Sequence, residues 1–300
     1  MRHFFKLITL SCLLASSSTY AAYEVFLDPL YWRATETFDW VHSNNLNSKN
    51  LVIGFKAVNF NYDPGFRVGV GYVSNWDTKL YYTQFHTSAS DSMTGNLTTG
   101  FLGGRLSQTT PTTFYHTGQA KYYINFNMLD WDLGKRFNVT NSLMLHPLIG
   151  LEGGTINQTF NTQFQNPSVS ISEHVINNFI GMGPKVGIET NLVFLRAHDF
   201  DYSLIANLET SYLWGRWNFS DRTKASNAFN YSVNVSNRNF GSVGMQALLG
   251  ASVTHQNFSM KLGYEISDWF NQCQLFNDET GTQNSDLVLQ GLTLSFSYQM

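Results

Sequence analysis

The residues best suited to acid–base chemistry are two aspartates, Asp130 and Asp132. Their spacing of two places both carboxylates on one face of a β-strand, where paired acids can take part in general acid–base catalysis. A histidine and an acid also stand together at His198-Asp199. Paired acids with an Asp-His pair would suit hydrolysis. Whether these residues meet depends on the elements that carry them.

The other residues with chemical potential are dispersed. The histidines after residue 21 lack the spacing that is typical of metal ligands, so we predict no metal site. They are His42, His86, His116, His146, His174, His198 and His255. Glycine-rich runs at 65–71 and 181–187 fall inside alternating segments, which predicts strand positions and not phosphate-binding loops. We therefore predict no cofactor.

The composition narrows the class of protein. Hydrophobic residues make up 43% of the 300 residues, aromatic residues 15% and charged residues 13%, which is roughly half the usual charged share. No apolar run reaches the ~18 residues that a transmembrane helix needs. Low charge without such a run suits a membrane β-barrel, whose apolar residues occupy alternate positions. A secreted β-sandwich has a similar composition, so the order of the residues must decide.

The first 21 residues have the features of a secretory signal peptide. Arg2 and Lys6 precede a short apolar run at 7–15, and Thr19-Tyr20-Ala21 offers small residues for cleavage after Ala21. A lipoprotein signal at Cys12 is the weaker alternative, because Thr9-Leu10-Ser11 is a poor lipobox. We therefore predict a signal peptide at 1–21 and a single domain at 22–300.

Charge bears on the partners of that domain. Cleavage removes two basic residues and no acidic ones, which leaves 16 basic against 21 acidic residues. This acidic balance argues against nucleic acid as a partner.

Alternation at a period of two is the main structural signal. Eight segments alternate apolar residues with glycine, polar or charged residues, as a strand between lipid and a lumen requires. Two less regular runs, 23–36 and 77–88, bring the number of predicted strands to ten. The ten strands are 23–36, 58–74, 77–88, 119–137, 142–159, 176–191, 201–219, 238–254, 258–272 and 285–300. A change of the apolar face between Met128 and Leu129 predicts a β-bulge, which would place Trp131 and Leu133 on lipid.

The predicted connections alternate in length without exception, as in outer-membrane barrels. The long ones are 37–57, 89–118, 160–175, 220–237 and 273–284, and the short ones are 75–76, 138–141, 192–200 and 255–257. Long connections are then outside, and both termini face the periplasm. Strands of about 16 residues, tilted by ~45°, rise ~37 Å against an apolar band of ~25 Å, so we expect the barrel to project outward.

This topology indicates whether the acids and the histidine named first can act together in catalysis. Asp130 and Asp132 fall near the periplasmic end of a strand, and His198-Asp199 falls in a periplasmic turn. No histidine meets an acid at the outer rim. We therefore predict no catalytic residues and no enzymatic activity.

A set of polar residues projects into the predicted lumen. Its members are Arg67, Asn125, Asn127, Glu152, Lys185, Glu209 and Glu265. Mixed charges in a confined layer favour ion pairs, because an unpaired charge there loses hydration. Two interpretations stay open, a charged eyelet that selects solutes and a plug of salt bridges. Eight strands already leave an interior that side chains fill, so ten strands do not decide between them.

Several phrases along the chain resemble one known family. In order they are 30–34 LYWRA, 62–72 YDPGFRVGVGY, 129–135 LDWDLGK, 181–187 GMGPKVG, 213–216 LWGR, 262–265 LGYE with 269–272 WFNQ, and 289–292 LQGL. Together they resemble the Legionella-type major outer membrane protein family, which is itself likened to chlamydial porins. The resemblance covers nearly all of 22–300. It implies a porin-like barrel at the cell surface and carries over no catalytic residues.

We therefore predict an all-β fold, a transmembrane antiparallel up-and-down β-barrel of about ten strands in the bacterial outer membrane. The first functional interpretation is passive passage of small solutes through a narrow barrel. The alternative is a non-conducting surface barrel that acts in adhesion or envelope structure through its outer loops.

Two further partners are predicted besides outer-membrane lipid and small solutes. The chain ends on alternating Leu294, Phe296 and Tyr298, a pattern that the barrel assembly machinery reads, although Met300 departs from the usual final phenylalanine. Cys273 is placed at the start of the last outer loop, which favours an intermolecular disulfide over a free thiol.

Overall fold

Ten long antiparallel strands close into a barrel. The computed structural model describes residues 22–300 apart from 38, 48–49, 101–113, 227–229, 239 and 278–280, so the predicted signal peptide lies outside the described residues. The strands are β1 Ala22–Thr35, β2 Asp39–Asn47, β3 Asn50–Ala57, β4 Asp63–Val73, β5 Asp77–Thr99, β6 Tyr115–Gly134, β7 Phe137–Asn138, β8 Leu143–Gln165, β9 Ser170–Ala197, β10 Phe200–Ala225, β11 Tyr231–Arg238, β12 Gly241–His255, β13 Phe258–Asn277 and β14 Gly281–Gln299.

The barrel wall follows the order of the chain. Its members are β1, β4, β5, β6, β8, β9, β10, β12, β13 and β14, each paired antiparallel with the next. Pairing of β1 with β14 closes the ring. The hairpin β2–β3 pairs with the upper part of β5, and β11 pairs with the upper part of β10. These pairings confirm the predicted ten-stranded antiparallel barrel.

Tight turns lie at the end of the barrel where β1 begins and β14 ends. His198 and Asp199 have φ values of 50° and 66° and form a two-residue turn between β9 and β10, as short hairpins require. At the same end, Met300 N–H donates to the Tyr23 carbonyl at 2.7 Å. This end is called the periplasmic end below, in accordance with the predicted topology.

Several strands extend well beyond their predicted bounds. β8 continues to Gln165 and β9 begins at Ser170, so the predicted outer loop 160–175 is two strand ends joined by a short turn. β5 likewise runs to Thr99, inside the predicted loop 89–118, whose residues 101–113 lie outside the described part. These extensions are rich in Thr, Ser and Asn on one face, and such a face resembles a loop in composition. The expectation that the barrel projects beyond the membrane is consistent with their length.

The polarity of the strands inverts part of the way along the barrel, as β6 illustrates. Near the periplasmic end, Leu129 and Trp131 face outward with 52% and 44% exposure, while Asp130 is buried inside. Farther out, Phe126 and Met128 are buried inside and polar side chains face outward. The β6–β8 register is continuous, so the predicted bulge is wrong. Apolar and polar residues still alternate along the strand, but farther out the apolar residues face inward and the polar ones outward.

Because of this inversion, two residues that were predicted to line the lumen lie elsewhere. Asn125 lies on the outer face, exposed, with its Oδ1 2.6 Å from Nδ1 of His86, and Asn127 shares that face. Their apolar neighbours in sequence fill the interior instead. The prediction that the two asparagines line the lumen is therefore wrong.

Two zones follow from the inversion. In the membrane zone, apolar side chains face outward, including Val25, Leu27, Val68, Val70, Leu80, Leu129, Ile149, Leu151, Met182, Val186, Leu204, Leu208, Leu249, Leu262 and Leu292. In the outer zone, polar side chains face outward, and the barrel is filled by apolar side chains together with some buried polar ones such as Gln158, Asn177 and Gln272. The described residues contain no helix long and apolar enough to cross a membrane.

Charge on the lipid face should be costly. Leu249 faces outward with 70% exposure, whereas Gln246 on the same strand points inward and donates to Glu265. Leu249→Arg is expected to reduce the free energy of unfolding in bilayers by roughly 2–4 kcal/mol if it lies near the midplane. Gln246→Arg is the control, because it places a cation beside a carboxylate. Equal losses in urea titrations of the two variants would contradict the assigned faces of β12.

Candidate functional site

A lysine surrounded by acids crosses the interior of the membrane zone. Lys185 on β9 lies 2.8 Å from Asp130, 2.8 Å from Asp132 and 3.3 Å from Glu209. Its Nζ also donates to the Tyr81 hydroxyl at 2.7 Å. The Lys185 side chain is 2% exposed, so this cluster is removed from solvent. Carboxylates from two strands therefore converge on one buried cation.

A glycine lets one of these acids reach the lysine. Asp132 on β6 and Lys185 on β9 both pair in register with Gly150 on β8, which stands between them. A Cβ at Gly150 would lie 2.5 Å from Oδ1 of Asp132. The absence of a side chain at this position opens the space that the ion pair occupies.

A second ionic cluster is centred on Arg67 of β4. Its guanidinium lies 2.7 Å from Glu265 and 3.5 Å from Asp28. Glu265 is 0% exposed and also accepts from Thr293 at 2.6 Å. The Tyr81 ring lies 5.8 Å from Arg67 and 4.8 Å from the Lys185 ammonium, so it stands between the two clusters. The two clusters together are called the ion layer.

The ion layer contains five of the predicted lumen residues and several that the sequence analysis did not assign to it. Arg67, Lys185, Glu209 and Glu265 make the contacts described above, and Glu152 is buried in the same layer, in register with Asp130. The additions are Asp28, Asp130 and Asp132. Asp28 could have been found, because even-numbered residues of β1 oppose the apolar Val25 and Leu27.

The charge balance of the layer differs from the predicted three acids against two bases. With the additions, acids outnumber bases, and the only bases that the contacts above place in the layer are Arg67 and Lys185. Loss of one acid therefore leaves each base with another acid, whereas loss of a base leaves several acids without a partner. The two kinds of substitution should differ sharply in effect.

Apolar side chains fill the interior above the ion layer. Trp32 is 1% exposed, lies over Arg67 and packs on Phe85 at 5.9 Å between ring centroids. Phe126 packs on Trp269 at 5.5 Å. This outer core includes Leu30, Trp32, Trp40, Phe85, Tyr122, Ile124, Phe126, Met128, Ile156, Phe160, Phe164, Phe179, Leu213, Trp217, Trp269 and Leu289. These side chains come from strands all round the barrel.

One carboxyl is buried within the outer core. Glu36 follows β1 and is 6% exposed, and it accepts hydrogen bonds from the Tyr122 hydroxyl and the Gln158 amide. Tyr122 and Gln158 belong to the outer zone, so Glu36 lies outside the membrane-spanning part. Burial raises the pKa of its carboxyl from 4.5 to about 8, although both hydrogen bonds act in the opposite direction.

On the periplasmic side the interior is open. A cavity of about 630 Å³ lies at the periplasmic end, lined among others by Lys79, Asn138 and Gln256. A smaller one of about 150 Å³ continues inward to Arg67 and Glu209. The interior thus forms a cup whose floor is the ion layer.

A histidine between two acids borders this cup. His146 is 4% exposed at its side chain, and its Nδ1 lies 2.8 Å from Glu189 while its Nε2 lies 3.5 Å from Asp77. Arg136 pairs with the same Asp77 at 2.6 Å. Both imidazole nitrogens face carboxylates, an arrangement that suits a structural bridge better than proton transfer to a substrate.

Cys273 lies within a strand and not at the start of a loop. It belongs to β13, pairs in register with Ser285 and is 0% exposed. An intermolecular disulfide would require the outer core to open first. Burial therefore contradicts the predicted position of this thiol and removes the basis for the predicted crosslink.

One family model and several solved structures are similar to this chain. A family model described as Legionella pneumophila major outer membrane protein precursor matches residues 16–300. A comparison with curated proteins gave no match.

Solved structures of outer-membrane barrels resemble the chain at low identity. The outer membrane protease OmpT from Escherichia coli is 12% identical, with 95% of this chain and 99% of that chain covered and a TM-score of 0.45. A major outer membrane protein from Thermus thermophilus is 10% identical, with coverages of 94% and 100% and a TM-score of 0.36. The Ralstonia pickettii toluene transporter TbuX is 8% identical, with coverages of 95% and 90% and a TM-score of 0.26.

Proposed function

Because the chain belongs to the family of the Legionella pneumophila major outer membrane protein precursor, it is a barrel of the bacterial outer membrane, and we propose that this barrel does not conduct. In this proposal the protein acts in adhesion or envelope structure through its outer zone. The observation that carries the proposal is the outer core. Trp32 and Phe126 from separate strands of the wall are 1% and 4% exposed and are packed among other buried rings.

Electrostatics support the same conclusion. A solute that crosses the barrel must pass Lys185, whose side chain is 2% exposed and bonded to several groups, and then enter the outer core. Neither layer offers hydration to a passing ion, and the transfer of a charge into such surroundings is very unfavourable. The arrangement therefore favours a plug of salt bridges over the solute-selecting eyelet that the first prediction requires.

We extend the proposal to the absence of catalysis. The acids that first suggested hydrolysis, Asp130 and Asp132, are held by Lys185 at 2.8 Å in the interior. His198 and Asp199 form the turn that follows β9 at the periplasmic end, opposite the outer rim. A buried acid in a salt bridge and a distant histidine are poorly placed to attack an external substrate.

Assembly is a further part of the proposal. β14 ends the chain and pairs with both β13 and β1, so closure of the barrel depends on it. Tyr298 faces outward with 49% exposure, which leaves its ring available before closure. We propose that the barrel assembly machinery reads this strand, as the sequence pattern predicts.

Single-channel recording of the refolded protein tests the closed barrel. We expect wild type to insert without conductance steps above the leak of the bilayer. Glu209→Gln should be equally silent, because removal of one acid leaves Lys185 paired and the outer core intact. In an open pore the same change would move the reversal potential towards neutral selectivity.

The outcome that contradicts the proposal is a stable ohmic step from wild type. Its frequency would have to rise with the amount of folded protein, and its reversal potential would have to respond to Glu209→Gln. Insertion itself is verified independently, by protection of the strands from protease in the same vesicles. Inserted but silent protein supports the proposal.

A further inference from the structure

One side of the outer zone carries basic and amide side chains in ordered rows. Lys121, Asn161, His174 and Arg222 stand side by side on β6, β8, β9 and β10, each paired in register with the next. All four occupy outward positions. With Arg216 and Lys224 of β10, they define the basic wall.

Among the described residues, the acids on the strand ends that carry the basic wall are largely enclosed. The acids on these strand ends, Glu173 and Asp221, are 5% and 4% exposed and lie on the inner face. Among the described residues, no carboxylate lies within 4.0 Å of the charged groups of Lys121, Arg222 or Lys224. The described cations of the ion layer, by contrast, are paired. A chain with more acidic than basic residues thus leaves a cluster of cations available to an external anion.

A row of amides crosses the basic wall, above the level of Arg216 and below the level of Arg222. Asn125, Asn157, Asn178 and Asn218 are in register across the same four strands. An asparagine side chain offers a donor and an acceptor side by side, the pattern that adjacent sugar hydroxyls match. Asn125 Oδ1 already contacts His86, and Asn178 Oδ1 is buried, so Asn157 and Asn218 are the members of the row that present both groups outward. Above them, a recess of about 450 Å³ is lined by residues that include Lys121, His174 and Arg222, and the acid Glu173 also borders it.

The position of the wall identifies its ligand. Trp214, the last strongly exposed apolar residue of β10, is 65% exposed and lies two residues before Arg216. The wall therefore faces sideways, directly above the apolar band, where the headgroups of the surrounding lipid lie. We propose that the basic wall binds the phosphorylated saccharide headgroup of an outer-leaflet glycolipid. The cations bind its phosphates, and Asn157 and Asn218 bind its sugar hydroxyls.

Binding of the purified full-length barrel to immobilised lipopolysaccharide, in neutral detergent, tests this proposal. Lys121→Gln/Arg222→Gln should weaken binding roughly tenfold or more, since charge-assisted hydrogen bonds to phosphate are lost. The matched control is Lys135→Gln/Arg196→Gln, which removes the same charge at the periplasmic end and should bind like wild type. Removal of the phosphates from the lipopolysaccharide should weaken wild type to the level of the first variant.

Other results would overturn the proposal. Equal losses in the two double variants would mean that net charge, and not the wall, controls binding. Equal affinity for phosphatidylglycerol vesicles would show that the wall does not recognise the saccharide. Tight binding to heparin with none to lipopolysaccharide would assign the wall to an external sulfated polysaccharide. Heat-modifiable migration on gels confirms that each variant is folded, so a loss of binding reports on the surface.

Discussion

Replacement of Lys185 by Met is expected to lower the free energy of unfolding by roughly 3–5 kcal/mol. The substitution keeps much of the aliphatic volume and removes the cation that Asp130, Asp132 and Glu209 share. Those acids then stay close together without the base that paired with them, and their mutual repulsion is added to the cost of desolvation. Urea unfolding in detergent micelles, followed by tryptophan fluorescence, measures the loss.

Glu209→Gln is the matched control for this substitution. It removes one acid from a layer that contains too many, and Lys185 keeps two partners at 2.8 Å. The glutamine can still accept the hydrogen bond that Asn207 donates to Glu209 at 2.8 Å. We expect a much smaller change than for Lys185→Met. Similar losses of unfolding free energy in both variants would show that the excess of acids over bases does not determine the stability of the ion layer.

A double-mutant cycle separates the ion pair from packing. Lys185→Met and Asp132→Asn are measured alone and together. A coupling energy of about 0.5–3 kcal/mol is expected for groups in direct contact. A coupling near zero would mean that Lys185→Met acts only through the shape of the interior.

Alternation predicts the barrel wall reliably within the membrane zone, because lipid requires an apolar outer face there. Leu249 and Gln246 illustrate this, since the apolar residue faces outward and the polar one inward, as alternation requires. Above the membrane zone the same pattern is ambiguous. Asn125 and Phe126 alternate as before, but water replaces lipid outside and the inward residue becomes the apolar one. A period of two identifies two faces without identifying which is inside.

The contacts of the ion layer were less predictable than its members. The pairing of Lys185 with Asp132 depends on the register of three strands and on the small size of Gly150 between them. The sequence contains these residues, but it does not give the shear of the barrel, which brings them together. The outer core was missed for a related reason. Phe160 lies among Thr, Asn and Gln, so its segment was predicted as a loop although its ring is 1% exposed.

The second large effect is expected from pH and concerns Glu36. Its carboxyl has a pKa of about 8 in the folded barrel and 4.5 as a free side chain, so the folded state binds a proton that the unfolded state releases. The resulting stability is fully present below pH 4.5 and is lost as pH rises to about 8. Over that window the free energy of unfolding of wild type should fall by up to about 5 kcal/mol relative to that of a chain without this group.

Glu36→Gln isolates this contribution. Glutamine has nearly the same shape, stays neutral at every pH and can still accept the hydrogen bond from Tyr122. Histidines and other acids titrate in both proteins, so they cancel in the difference between the two unfolding free energies. We expect that difference to grow with pH between 5 and 8, with the variant the more stable protein at pH 9. Parallel stability curves would mean that Glu36 is already ionised in the folded barrel and compensated within the outer core, which would contradict its placement among apolar side chains.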